Sequence, residues 1–307
     1  MRRLAFLVVL LAPALTVRAG EPVAPLRPPA VSGLFEVRRT EEARTELDGR
    51  EIHYKDRGPA KSALQVRIEQ AAAESPSVAH LLLFVPKLER ESDVHGGKRA
   101  LHFDARSLDE RREKFPLRYL RANGSPREQE SLRALTATPW GELEFSGQAW
   151  TRVQCTARDE AWPLADALAL ERELVLLLPP LPSKLDPGAS GVQAVPLPYP
   201  APLSPAPTAV IAYRVEEFKH EEGRRVVYVT FSGSADTPAP QNGHWGGIRL
   251  AAVTVQAAVQ GRLKLEADTG RLIEARLQLD ARVRQAGPER RFSSDWKLTS
   301  EWKEARP

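Results

Sequence analysis

Residues 253–283 read VTVQAAVQGRLKLEADTGRLIEARLQLDARV, and their alternation decides the fold. The odd positions from Val253 to Ala267 are Val253, Val255, Ala257, Val259, Gly261, Leu263, Leu265 and Ala267, while Gln256, Gln260, Arg262, Lys264 and Glu266 stand between them. After Asp268-Thr269-Gly270 the pattern resumes as Ile273, Ala275, Leu277, Leu279, Ala281 and Val283 against Glu274, Arg276, Gln278, Asp280 and Arg282. A period of two is the mark of strands with one wet and one buried face. The stretch is therefore a long antiparallel hairpin turning at residues 268–270. A third run, with Phe292, Trp296, Leu298 and Trp302 opposed to Asp295, Lys297 and Glu301, adds a strand.

The same signal recurs toward the N-terminus. Leu34–Leu47 followed by Asp48-Gly49 reads as a strand and a hairpin turn, with Ile52–Lys55 as its return. Leu64, Val66 and Ile68 alternate with charged or amide neighbours. Val78–Leu88 is apolar at nearly every position to Val85, so both its faces are expected to be covered. Leu101–Ala105 and Glu142–Cys155 read as further strands, and Ser107–Gly124 and Ser125–Leu135 stay open between short helix and loop. Ile211, Tyr213 and Val215 begin another strand, Glu222-Gly223 turns it, and Val226–Phe231 returns. Ser232–Gly247 reads as a polar loop carrying His244 and Trp245.

One helix interrupts the strands. Leu164, Leu168, Leu170, Leu174 and Leu177 fall at helical spacing within Asp159–Leu178, with Pro163 in the first turn and Pro179-Pro180 as the stop. The segment 179–207 then holds ten of the 26 prolines and reads as an extended connector. The predicted architecture is mainly β. Long antiparallel meanders form one or two curved sheets or half-barrels, covered by the helix near 159–178. The divisions are a leader over 1–19, a proline-rich lead-in over 20–33, a β module over 34–157, helix and connector over 158–207, and a β-meander over 208–307.

Arg2-Arg3, the apolar run Leu4–Leu15 and the small-residue step Val17-Arg18-Ala19 have the build of a secretory signal peptide cleaved near Ala19. The expected location is the periplasm or outside the cell, with no transmembrane segment in the mature chain. The leader carries three arginines and no acid, so its loss lowers the formal charge from +4 to +1. A near-neutral chain with interleaved signs has no electrostatic reason to bind nucleic acid. With 27% charged residues and regular alternation, the chain is a folded one rather than a disordered one. Its single cysteine, Cys155, forms no internal disulfide and reads as a small buried hydrophobe.

Several segments resemble secreted bacterial β-rich proteins in which two strand-rich modules flank a Leu/Pro segment. These segments are 64–70 with 78–88, 101–107, Thr138-Pro139-Trp140-Gly141-Glu142-Leu143, Leu177–Pro182 with Asp186–Ser190, and Gly261–Leu272. The layout is also similar to periplasmic lipoprotein carriers, which implies a curved sheet with an apolar concave face. The resemblance implies no catalytic residues.

The residues point to no catalytic set, metal site or cofactor. His102 and Asp104 share a strand face but fall short of the three or four ligands a metal site needs. Ser294-Asp295-Trp296-Lys297 has the Ser-x-x-Lys spacing, yet on a strand Ser294 and Lys297 face opposite ways. Acid pairs such as Glu41-Glu42 read as solvated edges. The expected function is a non-enzymatic envelope protein that binds a hydrophobic ligand, a lipid or a partner segment. The expected contacts are Val255, Leu265, Leu277 and Trp296 on the apolar face and Trp245 in a loop. The alternative is a hydrolase of envelope polymers working through loops 92–100 and 232–247, with Asp93, His95, Asp236 and His244 converging.

Overall fold

The period-two segments form one continuous antiparallel sheet in a computed structural model. It describes residues 26–27, 30–52, 59–71, 78–94, 97–104, 138–146, 149–157, 168–178, 181–182, 185–197, 207–236, 241–245, 248–285 and 291–305. In chain order the strands are β1 (Leu26–Arg27), β2 (Gly33–Leu47), β3 (Arg50–Glu51), β4 (Ala60–Ala71), β5 (Val78–Val94) and β6 (Gly97–Asp104). Next come β7 (Gly141–Ser146), β8 (Ala149–Cys155), helix α1 (Leu170–Leu177), β9 (Leu181–Pro182) and β10 (Ser190–Pro196). The chain ends with β11 (Thr208–Glu221), β12 (Arg224–Asp236), β13 (Gln241–Trp245), β14 (Ile248–Glu266), β15 (Leu272–Gln285) and β16 (Phe292–Glu304). The proposed leader lies outside the described residues, as do segments 105–137 and 158–167.

The sheet runs β10-β11-β12-β14-β15-β16-β2-β4-β5-β7-β8, with β13, β3 and β6 as short flanking partners. The two halves of the chain meet where the last strand pairs with the first long one, from Phe292 opposite Leu47 to Glu304 opposite Phe35. Apolar residues of every long strand share the inner face. Phe35 and Val37, Leu64 and Val66, Leu263 and Leu265, and Leu277 and Leu279 are all buried there. Outward neighbours such as Arg38, Lys61, Arg276, Asp280, Arg282 and Lys297 are exposed.

Several expectations need correcting. Glu142–Cys155 is not one strand but lies in two antiparallel partners, β7 and β8, with Ser146 opposite Ala149. The proposed loop 232–247 is largely strand, because β12 continues to Asp236 and β13 occupies 241–245. In the proposed loop 92–100, residues 92–94 belong to β5 and 97–100 to β6, with Asp93 opposite Lys98. The return after Asp48-Gly49 is Arg50–Glu51, earlier than expected. The proline-rich connector supplies β10, an edge strand. Its proline-free run 190–195 can pair with β11, and Pro196 closes it at the rim, where a missing N–H costs no ladder bond. The lead-in is held too, with β1 paired to β9 and Val31 buried.

The helix departs most from expectation. Ala169 has φ 47, a left-handed conformation that breaks helical continuity, so α1 begins only at Leu170. It is not an amphipathic cover with a wet side. Leu170, Glu171, Glu173, Leu174, Val175, Leu176 and Leu177 are all buried, as a helix is when protein surrounds it. It touches both edge strands, β8 and β10, and also β7. Gly141 lets it approach β7 closely, since a Cβ there would lie 2.9 Å from Glu171 Cβ. The sheet therefore curls around α1 until one helix, about 10–12 Å across, reaches both of its edges.

Candidate functional site

The inner face of the sheet is organised by one row of paired residues. Gly191, Tyr213, Phe231, Gly261, Leu277, Ser300, Arg39, Ser62 and Arg90 stand opposite one another in turn on β10, β11, β12, β14, β15, β16, β2, β4 and β5. Side chains in register on one face are neighbours. The row is aromatic and aliphatic from Tyr213 to Leu277 and polar from Ser300 to Arg90.

At the apolar end, Tyr213 and Phe231 pack with ring centroids 5.7 Å apart. Gly261 makes room for the Phe231 ring, because a Cβ there would fall 2.3 Å from Phe231 Cζ. The Tyr213 hydroxyl donates to the Leu176 carbonyl at 3.4 Å. Burial raises its pKa far above the ordinary phenol value, so it remains a neutral donor.

At the polar end, α1 inserts a carboxylate. Glu173 Oε1 accepts from the Ser300 hydroxyl and, at 2.5 Å, from Trp302 Nε1. Its Oε2 lies 3.1 Å from Arg39 Nε, close enough to pair as charges although not aligned as a hydrogen bond. Arg39 Nη2 sits 3.3 Å from Glu41 Oε1, and Arg90 Nη2 sits 3.2 Å from Glu41 Oε2. Arg90 Nη1 donates to Ser62 Oγ at 3.0 Å. The side chains of Arg39 and Glu173 are 1% and 0% exposed, so this chain of charges is cut off from water. Below it Thr45 and Ser294 share a hydrogen bond of 3.0 Å. Arg39 Nη1 and Glu173 Oε2 make no hydrogen bond among the described residues.

Strand parity places Arg39 and Glu41 on the inner face, since both share it with Phe35 and Val37. The reading of Glu41-Glu42 as a solvated edge holds for Glu42 alone. Glu41 is 5% exposed and held between two arginines. Ser300 likewise shares parity with Trp296, Leu298 and Trp302. Glu173 carries no such signal, because a glutamate in the first turn of a helix normally faces water.

Of the residues singled out from the sequence, Val255, Leu265, Leu277 and Trp296 all face inward and are 2, 0, 0 and 3% exposed. Helix α1 and its flanks occupy the hollow, with Leu168, Leu174 and Leu177 fully buried. Trp245 belongs to β13, opposite Ile248, and not to a loop. Ser294 faces inward and Lys297 outward, as strand parity requires. Asp93 and Asp236 are both exposed, on β5 and β12, with β14, β15, β16, β2 and β4 between them in the sheet. His95 lies outside the described residues. Cys155 is half-buried, forms no disulfide and packs against the core.

Among the described residues no helix is long and apolar enough to cross a membrane. A barrel spanning a lipid bilayer by its strands turns an apolar band outward. Here the outward positions of the central strands carry Arg38, Glu42, Lys61, Arg276, Arg282 and Lys297. No protein-family model matches the chain, and no curated protein matches it. Among solved structures it is similar to one titled "CymD monoaromatic hydrocarbon channel", at 10% identity and a TM-score of 0.22, over 91% of this chain and 90% of that one.

Proposed function

We propose that this is an exported, non-enzymatic envelope protein that holds a hydrophobic ligand, a lipid or an apolar partner segment on the inner face of its curved sheet. The observation that carries the reading is what fills the hollow. The sheet's own side chains do not close it. A separate eight-residue helix does, outside the strand ladder and interrupted at Ala169. A helix of that length is marginal by itself and keeps its shape through its surroundings. An occupant with that little intrinsic stability can yield to another apolar body. In this reading Val255, Leu265, Leu277 and Trp296 receive the ligand once α1 shifts, and Trp245 contacts it near the β13 end of the sheet.

The test is to express the full chain with its leader in a Gram-negative host, purify it from the periplasm and weigh it under native conditions. The expected result is a chain starting after Ala19, part of it carrying a mass that organic extraction identifies as a lipid. A protein that is unloaded throughout and takes up no apolar dye after delipidation contradicts the binding role. A chain retained in the cytoplasm with its leader intact contradicts export.

A further inference from the structure

We propose that β10 is a docking edge for a second copy of this chain, the two β10 strands pairing antiparallel about a two-fold axis at Val192. Such pairing is independent of the binding role proposed above and uses the rim of the sheet, not its hollow. β10 ends the sheet and, among the described residues, pairs with β11 alone. The bonds that flank this ladder run from Val215 N to the Ala189 carbonyl and from Leu197 N to the Pro207 carbonyl. No shift of register falls between them. The odd residues of β10 therefore bond to β11, and the N–H and C=O groups of Ser190, Val192 and Ala194 point to the free side. A row of this kind is a template for another strand, and proteins normally guard it with charge, a bulge or proline. The opposite edge strand is guarded. β8 carries a bulge against β7, exposes Arg152, and is tied to the end of α1 by Trp150 Nε1 donating to the Leu178 carbonyl at 3.2 Å. β10 has no charged residue and no bulge, and its one proline, Pro196, is its last residue.

The side chains point to a second copy as the occupant. The two exposed large apolar residues among the described ones, Val192 at 62% and Val210 at 56%, lie at this edge, with Val210 one strand in and opposite Ala194. A two-fold axis at Val192 sets Val192 against Val192 of the second copy, and Ser190 against its Ala194. Every outward pair is then uncharged, and the exposed valine gains an apolar cross-strand neighbour. On the inner side Gln193 stands opposite Gly191 of the second copy. A Cβ on Gly191 would meet nothing within 4 Å, so there is room for the Gln193 side chain. Gln193 Oε1 makes no hydrogen bond in the single chain that pairing would have to break. Pro196 falls opposite Gly188, beyond the paired run, so its missing N–H costs no bond. The strand is its own complement, as an isologous two-fold interface requires. A charged partner segment would find no counter-charge on β10.

The experiment is sedimentation velocity on the purified, delipidated chain across a range of concentrations. Edge pairing buries little surface, so a monomer–dimer equilibrium with a Kd of roughly 1–100 μM is expected. Val192→Lys sets two like charges opposite each other and should weaken the dimer about tenfold or more. Thermal unfolding of the monomer should be unchanged, because the residue is exposed. Val192→Glu should act in the same way, and an equimolar mixture of the two variants should recover a dimer, since each copy then meets the opposite charge. Wild-type protein that stays monomeric up to about 100 μM overturns the proposal, whatever the variants do. A dimer that survives both charged variants places the contact elsewhere and overturns the assignment to β10. Loss of the dimer in both variants without recovery in the mixture overturns the two-fold register at Val192. The hydrophobic-ligand reading is tested separately, by the mass that the native protein carries, and none of these results decides it.

Discussion

Two clusters of opposite charges sit on the two sides of the same sheet, built from the same residue types and governed by different physics. Outside, on β11, β12 and β14, Lys264 pairs with Glu221 at 2.5 Å, Arg262 and Lys219 pair with Glu217 at 3.2 and 2.9 Å, and the Tyr228 hydroxyl donates to Glu221 at 2.7 Å. Arg262 and Lys219 also lie over the Tyr228 ring, 4.1 and 5.2 Å from its centroid. Inside, Glu173, Arg39, Glu41 and Arg90 form a chain with almost no exposure. Water and salt screen the outer cluster, so each of its members is replaceable. Nothing screens the inner one. Its members depend on one another, and removing one leaves its partner charged in an apolar enclosure. The outer cluster decorates a strand surface, whereas the inner one ties a separate helix to the wall opposite the sheet's two edges.

The largest expected effect follows from breaking the inner chain. Glu173→Ala should cost about 3–5 kcal/mol in urea unfolding, since Arg39 then loses one of its two buried carboxylates and keeps Glu41, which it shares with Arg90. A loss no larger than that of an outer-face variant would erase the distinction between the two clusters. Next, Arg39→Met with Glu173→Leu replaces the pair by apolar groups of similar size. The double variant should recover most of the single-variant loss and fall between neutral and about 4 kcal/mol more stable than the parent. Failure to recover would mean that the pair contributes through its geometry and not through mutual neutralisation.

The outer cluster should respond weakly. A double-mutant cycle on Lys264 and Glu221 is expected to give a coupling near the noise of a urea titration, and one that vanishes in high salt. The smallest effect is on pH dependence. The hydrogen bond from Lys264, followed by that from Tyr228, lowers the pKa of Glu221, and the hydrogen bond from Thr269 lowers that of Glu266. A lowered carboxylate pKa contributes stability above the ordinary carboxylate range that is lost as pH falls below it. Lys264 is shifted the other way, chiefly by its hydrogen bond to Glu221. Its contribution is present below the ordinary lysine value and lost as pH rises through the raised one. Glu221→Gln should therefore flatten both limbs of the profile of Tm against pH slightly, and a change confined to the alkaline limb would contradict the pairing.

Much of this arrangement is legible in the sequence, because strand parity is local. The alternation at 253–283 fixes which side of β14 and β15 is buried. The same parity applied to Phe35, Val37, Arg39 and Glu41 puts two charges inside, although acidic pairs invite the opposite reading. Other features depend on contacts distant in sequence. Pairing of β16 with β2 joins the ends of the chain and turns two β-rich halves into one sheet. The left-handed backbone at Ala169 interrupts a leucine pattern that reads as unbroken helix, and burial of Glu173 exists only because the sheet curls around it. Proline content marks 179–207 as unfit for a sheet interior, which is correct, but does not forbid the edge position that β10 takes.

In the proposed role α1 is a resident occupant of the hollow, displaceable by an apolar ligand. Amide hydrogen exchange over Leu170–Leu177, measured on delipidated protein and again after saturation with hexadecanoate, addresses it most directly. These amides are expected to be protected in the empty protein and to lose protection when the ligand enters, while β14 and β15 stay protected in both states. Ligand binding that leaves α1 protected, or increases its protection, would contradict displacement and make the helix a permanent part of the core.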